Sequence, residues 1–153
     1  MIHAWRLVKD KHAPTAFTGI GARLAGGRWN HPGYSVVYVS STLSLAVLEL
    51  FVHLPPRSRS AIRLTSVPVD IPDELVSKPP RLPKNWRDQP SPAETKDVGS
   101  TWLREGESCV LKVPSTIVPV EFNFVLNPVH PDFPSITIGK GGPFSLDPRV
   151  WRA

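Results

Sequence analysis

The stretch Ser35-Val36-Val37-Tyr38-Val39-Ser40-Ser41-Thr42-Leu43-Ser44-Leu45-Ala46-Val47-Leu48-Glu49-Leu50-Phe51-Val52-His53-Leu54 changes character in its middle, and that change decides the fold class. Residues 35–40 are rich in β-branched and aromatic side chains and follow the turn signal His31-Pro32-Gly33, which predicts a strand. From Ser41 or Thr42, either of which can cap a helix N-terminus, apolar residues run too densely for a half-buried strand. The run stops before Pro55-Pro56, so a helix is expected up to Leu54. Further strands are expected over Ala61 to Val69, Cys109 to Val113, Thr116 to Val125 and Ser135 to Ile138, the last two bounded by prolines. Between them, Pro72 to Gly106 is Pro-rich and polar, and reads as a long surface excursion with one or two helical turns after Ser91-Pro92. The 18 prolines and 10 glycines are spread over the whole length, which favours many short elements. The expectation is an α+β fold in one compact domain spanning residues 1–153.

A chain of 153 residues is long enough to bury roughly two thirds of the surface its unfolded form exposes, so a real core is available. Cys109 is the single cysteine; it can form no intrachain disulfide and no thiolate-rich zinc site, which fits a reducing, cytoplasmic setting. The opening MIHAWRLVKDKHAP scatters Trp5, Leu7 and Val8 among charges and holds no secretory apolar region. The longest apolar stretch, Leu43 to Leu54, is too short to span a membrane. A net charge of +5 and a pI near 9.7 suit an anionic ligand, a nucleic acid or an acidic protein partner alike.

Glu49 is the most informative residue. A helix apolar on every side is normally buried, and the neighbours of Glu49 one turn away are Leu45, Ala46, Val52 and His53. A buried carboxylate must be paired, protonated or facing a functional cleft. The plainer reading is a thin polar stripe of Glu49 and His53 touching solvent. Upstream, Gly26-Gly27-Arg28-Trp29-Asn30 combines glycines that let backbone approach a ligand with a guanidinium shaped for phosphate or carboxylate. A Gly-Gly turn followed by a surface arginine would look the same. Tyr38 shares a strand face with Val36 and Ser40 and, alone, would pass for a half-buried strand tyrosine. What raises all three is company: Arg28, Tyr38 and Glu49 belong to one turn, strand and helix unit, and their side chains can converge on one cleft.

Later in the chain, Ser115 lacks a Gly-x-Ser-x-Gly elbow, so it reads as a hydrogen-bonding residue and not as a hydrolase nucleophile. Asn127-Pro128 and His130-Pro131 read as turns. The five histidines, His3, His12, His31, His53 and His130, show no metal-ligand spacing, and no metal is expected.

The segment Gly21-Ala22-Arg23-Leu24-Ala25-Gly26-Gly27-Arg28-Trp29-Asn30-His31-Pro32-Gly33, with Val36 to Ser40 and Leu45 to Glu49, resembles the opening signature of the RES family. Trp102-Leu103, Leu111 to Ser115, Asn123 to Asp132 and Phe144 to Arg149 look like the family's later blocks in the right order. The arginine, glutamate and serine that give the family its name look like Arg28, Glu49 and Ser115. The resemblance implies a fold similar to ADP-ribosyltransferase toxins and a toxin of a toxin-antitoxin pair that depletes NAD+ by hydrolysis or phosphorolysis. It also implies an Xre-type helix-turn-helix antitoxin as partner. NAD+ is then a substrate, with no separate cofactor. Pro79 to Pro92 matches no family block, and its role is open.

The residues suit that chemistry. Breaking the nicotinamide-ribose bond creates oxocarbenium character, which a carboxylate such as Glu49 can stabilise while accepting a ribose hydroxyl hydrogen bond. Tyr38 can stack on nicotinamide or hold the ribose, Arg28 can clamp the diphosphate, and Ser115 and Asn123 are candidate substrate hydrogen-bonding residues. Water, inorganic phosphate or a protein side chain can each accept the ADP-ribose, the last making the protein an ADP-ribosyltransferase. A basic ribonuclease-type toxin is the competing class, suggested by Arg57, Arg59, Arg63, Arg81, Lys84 and Arg87. These charges are interrupted by prolines and apolar residues and form no recognisable motif, which argues against direct nucleic-acid binding. A binding domain that has lost activity would keep the fold; the joint presence of Arg28, Tyr38 and Glu49 speaks against it.

Overall fold

The computed structural model describes residues 1–59 and 61–150. Its centre is a sheet built from β1 (Ile2–Lys9), β2 (Val37–Ser40), β3 (Leu64–Ile71), β4 (Val76–Ser77), β5 (Val110–Pro114), β6 (Phe122–Leu126), β7 (Thr137–Ile138) and β8 (Gly142–Phe144). The order is β4-β5-β6-β2-β1-β3-β7, with β8 also pairing β3, and only β4 and β5 run parallel. Among the described residues three α-helices accompany it: α1 (Ile20–Ala25), α2 (Leu43–Phe51) and α3 (Ala93–Glu105). The fold is α+β, as expected from the sequence.

Both faces of the sheet are covered. Val37 and Val39 of β2 join Ala4, Val69, Ile71, Val110, Phe124 and Leu126 in one apolar cluster. Val36 and Tyr38 point the other way, with Trp29, Trp102, Leu111, Val113 and Val125. The helix expected after β2 is α2, and Thr42 caps it, its Oγ1 accepting the Leu45 N–H at 3.0 Å. It packs Ala46, Leu43, Val47 and Leu50 against Leu7, Trp5 and Leu64.

Several expectations need correction. The helix is not buried all round: Leu45 and Ala46 are buried, but Leu48 is 43% and Val52 60% exposed, because α2 packs on one side only. The N-terminal residues, to which no element is assigned from sequence, form β1, whose register with β3 runs from Ile2↔Ile71 to Lys9↔Leu64. The strand expected over Thr116 to Val125 begins at Phe122. Ser115 Oγ accepts the N–H groups of Ile117 and Val118, and the Ser115 N–H reaches Glu121 O, which closes a turn in between. Within Ser135 to Ile138 only Thr137–Ile138 is strand, preceded by a short helical turn over Phe133–Ser135.

The largest departure lies in Pro72 to Gly106. In place of one or two turns, α3 runs thirteen residues, with Gly106 at φ 64° as its left-handed C-cap. Its Thr95, Gly99, Ser100 and Trp102 are buried, so this part of the excursion belongs to the core. Thr, Ser and Gly are poor helix formers, which hid the helix from propensity; packing supplies what propensity lacks. Among the described residues no helix is long and apolar enough to cross a membrane.

Candidate functional site

The turn that carries Arg28 is held from four sides. α1 ends at Gly26, whose φ of 72° admits glycine with least strain, and Gly27 N–H donates to Asn30 O at 3.0 Å. Trp29 is buried in the apolar cluster beneath. Asn30 is fully buried, and its Nδ2 donates to the carbonyls of Ala22, His31 and Tyr34. From β2, the Tyr38 hydroxyl donates to Asn30 Oδ1 at 2.6 Å and accepts the Trp29 N–H at 3.2 Å. From α3, Lys96 Nζ donates to Gly27 O at 3.0 Å. At Gly99 a Cβ would lie 1.6 Å from Trp29 O, so only glycine lets α3 come this close.

These elements surround a cleft of about 1130 Å³, lined by Arg28, Tyr38, Glu49 and Asn123 among others. The three residues of the strand-helix unit therefore share one cleft. Among the described residues its sole acidic lining side chain is Glu49, while Arg6, Arg28 and Lys96 supply cations. Such a lining favours a ligand with more than one negative charge and a single site of developing positive charge.

Glu49 is gripped by one oxygen. Its Oε1 accepts from Ser115 Oγ at 2.8 Å and from Asn123 Nδ2 at 2.7 Å. Asn123 Oδ1 in turn accepts from Ser40 Oγ at 2.7 Å. Ser115 has no exposed surface and does not line the cleft, so its hydroxyl holds Glu49 and is not placed to touch a ligand, contrary to the role expected of it. Asn123 does line the cleft, but the amide nitrogen it would offer a ligand also holds Glu49.

Tyr38 also differs from expectation. Tyr38 lines the cleft, but its one hydroxyl hydrogen is committed to Asn30 in the Arg28 turn and is not available to donate to a ribose. Burial pushes the phenol above its usual range, against the opposing influences of the Trp29 N–H and the Arg28 charge. Arg28 Nη1 donates to Trp86 O at 2.9 Å and Asp88 O at 2.8 Å. The guanidinium thus pins the Pro79 to Pro92 segment, of which Gln89 and Pro90 form cleft wall. Burial lowers the Arg28 pKa, and the Glu49 carboxylate is the largest influence opposing that shift. Arg87 fastens the same segment across to Thr116 O at 3.0 Å.

Sequence reasoning passed over Arg6. Its Nε donates to Ala16 O at 2.6 Å and its Nη1 to Tyr38 O at 2.8 Å, and burial lowers its pKa to about 10. No carboxylate partners it among the described residues. The available signal was an arginine inside Ile2-His3-Ala4-Trp5-Arg6-Leu7-Val8, a run with strand composition. No three His, Cys, Asp or Glu side chains among the described residues gather as a metal-binding group.

The sheet and a cleft lined by both Arg28 and Glu49 agree with a class: the RES domain matches residues 3–147, and the chain belongs to that family. It is 38% identical over 148 residues to Toxin Res of Yersinia enterocolitica, covering 95% of this chain and 97% of that protein. It is 37% identical over 155 residues to the Prs ADP-ribosylating toxin of Sphingobium sp., covering 97% and 96%. Toxin Res of Photorhabdus laumondii is 36% identical over 152 residues, covering 97% of each chain. A chain in the crystal structure of the M. tuberculosis MbcT-MbcA toxin-antitoxin complex shares the fold, with a TM-score of 0.71 at 16% identity over 97% of this chain and 86% of that one.

Proposed function

We propose that this chain is the toxin of a toxin-antitoxin pair and destroys NAD+ by breaking its nicotinamide-ribose bond, with Glu49, Arg28 and Tyr38 at the centre of the site. The observation that carries the reading is a single anchored carboxylate in a cleft whose other charged lining groups include Arg6, Arg28 and Lys96. NAD+ presents the complement: an anionic diphosphate, and a ribose carbon that becomes positive only as the bond breaks. The electron pair of that bond leaves with nicotinamide and neutralises its pyridinium ring, so no general acid is needed. Glu49 stabilises the oxocarbenium character left on the ribose. Arg28 and Arg6 hold the diphosphate, and the Tyr38 ring packs against the nicotinamide end. An acceptor oxygen then bonds to the anomeric carbon: water gives ADP-ribose and releases one proton to solvent, and phosphate gives its 1-phosphate.

Transfer of ADP-ribose to a protein is the second reading, favoured by the relative named as an ADP-ribosylating toxin. It uses the same bond cleavage with a side chain as acceptor. The partner we assign is an Xre-type helix-turn-helix antitoxin that covers or enters the cleft; the fold shared with a chain of a toxin-antitoxin complex supports such a partner. The proposed setting is the cytoplasm, where NAD+ is available.

The test is to incubate the purified protein with NAD+, with and without inorganic phosphate and with a candidate target protein, and to weigh the products. Free nicotinamide with ADP-ribose or its phosphate supports the first reading, and a mass gain on the protein supports the second. Intact NAD+ in all arms, with a folded protein, rejects both.

A further inference from the structure

We propose that Ser40 is a positioning residue for Glu49: through the Asn123 amide it ties the carboxylate down by Oε1 and leaves Oε2 to the ligand. The geometry stands by itself; the consequence for turnover rests on the NAD+ reading above. Ser40 and Asn123 are paired positions of β2 and β6, so their side chains rise from directly opposed backbone. An amide oxygen can only accept, so in the 2.7 Å contact between Ser40 Oγ and Asn123 Oδ1 the serine is the donor. That contact anchors the far end of the amide in the orientation Glu49 requires. With Oδ1 held by Ser40, Nδ2 is turned onto Glu49 Oε1 at 2.7 Å; a flipped amide would set oxygen against oxygen.

Ser115 is arranged to the same end. Its Oγ accepts from Ile117 N and Val118 N, both at 3.1 Å, so its one hydrogen is directed to Glu49 Oε1 at 2.8 Å. Both donors meet the same oxygen, and among the described residues Oε2 receives no hydrogen bond. Ser115 is locked by its own turn, but Asn123 has two orientations of equal shape. The acceptor-only Glu49 oxygen requires Nδ2 to face it, and Ser40, 5% exposed and lining the cleft, holds the amide there by donating to Oδ1 at its other end. Alanine would satisfy the strand equally well, so the hydroxyl answers to the amide and not to β2.

The experiment follows the Asn123 side-chain amide by 15N-correlated NMR, with the signals identified by their loss in Asn123→Ala. In the unaltered protein one amide proton should lie well downfield of its partner and exchange slowly, as expected for a bond to a carboxylate. Ser40→Ala should collapse the pair towards ordinary asparagine positions and speed exchange, while Ser40→Thr, which keeps the hydroxyl, should restore both. In NAD+ turnover, Ser40→Ala should lower kcat about tenfold with KM changed less than twofold, and Ser40→Thr should recover most of it. Unchanged amide signals in Ser40→Ala overturn the proposal whatever the activity, and so does a collapsed pair with undiminished kcat. If the signals respond as described while no variant and no unaltered protein consumes NAD+, the positioning stands and the NAD+ reading fails.

Discussion

Gly99→Ala probes the contact on which the Arg28 turn depends. A Cβ at position 99 would fall 1.6 Å from Trp29 O and 2.7 Å from its carbonyl carbon. A relaxed carbon-oxygen contact is about 3.3 Å, so α3 and the turn would have to separate by about 1.7 Å. Neither can yield cheaply. The obstacle is backbone, Trp29 is buried, and the turn is tied to Tyr38, Asn30 and Lys96. Alanine gains about 1 kcal/mol in helix propensity over glycine. Overpacking costs about 1–3 kcal/mol and belongs at or above the upper end here. A net loss of about 2 kcal/mol is expected, which for a chain of this size lowers Tm by about 4–8 °C. The same displacement moves Arg28, and misplacement by about 1 Å is enough to lower kcat/KM about a hundredfold. Thermal melting by circular dichroism reads the first effect, and NAD+ consumption well below Tm reads the second. A Gly99→Ala protein melting within a degree of the parent would show that the turn and α3 are not in the close contact described.

Glu49→Gln should leave NAD+ affinity nearly intact and lower turnover about a hundredfold or more, because the charge it removes matters only in the transition state. Arg28→Ala should chiefly weaken binding and loosen the Pro79 to Pro92 segment; Arg28→Lys should recover only part of either, since a point charge cannot serve two carbonyls and a diphosphate together. Calorimetric titration with NAD+ separates these, and an Arg28→Lys protein indistinguishable from the parent would remove the fork from the argument. Ser115→Ala strands two backbone N–H groups and one Glu49 contact, and should lower stability by about 2–4 kcal/mol in urea melts. For Arg6 the sign is set by burial, which depresses its folded pKa to about 10. Below that pH the guanidinium is charged in folded and unfolded chains alike and the desolvation cost is fully present; the cost is relieved as pH rises through about 10. At pH 8, where the guanidinium is charged, added pyrophosphate should stabilise the parent more than Arg6→Met. An equal pyrophosphate response in parent and Arg6→Met at pH 8 would exclude Arg6 from anion binding.

Much of the site was legible because it is local. Arg28, Tyr38 and Glu49 lie in one turn-strand-helix unit, and period-two alternation in β2, with a Thr42 cap and a proline stop for α2, is written into neighbouring residues. Composition could also say that a carboxylate among Leu45, Ala46, Val52 and His53 needs a reason to be there. It could not say how the helix would be covered, and Leu48 and Val52 turned out to face solvent because only one side of α2 meets the sheet.

What only the tertiary structure decided is the set of contacts made across long stretches of chain. Glu49 takes its hydrogen bonds from residues 66 and 74 positions away, which β5 and β6 deliver. β1 has strand composition, but its place between β2 and β3 is set by pairing with residues far along the chain. α3 is a helix despite Thr95, Gly99, Ser100 and Thr101, and its glycine, which weakens any isolated helix, is what lets it press on the Trp29 carbonyl. Pro79 to Pro92 carries little local pattern because Arg28 holds it by the carbonyls of Trp86 and Asp88, and a carbonyl is the one acceptor every residue has. Local spacing records the direction a side chain takes; it cannot record which distant backbone will be waiting there, because that is settled by the burial and hydrogen bonding of the chain as a whole.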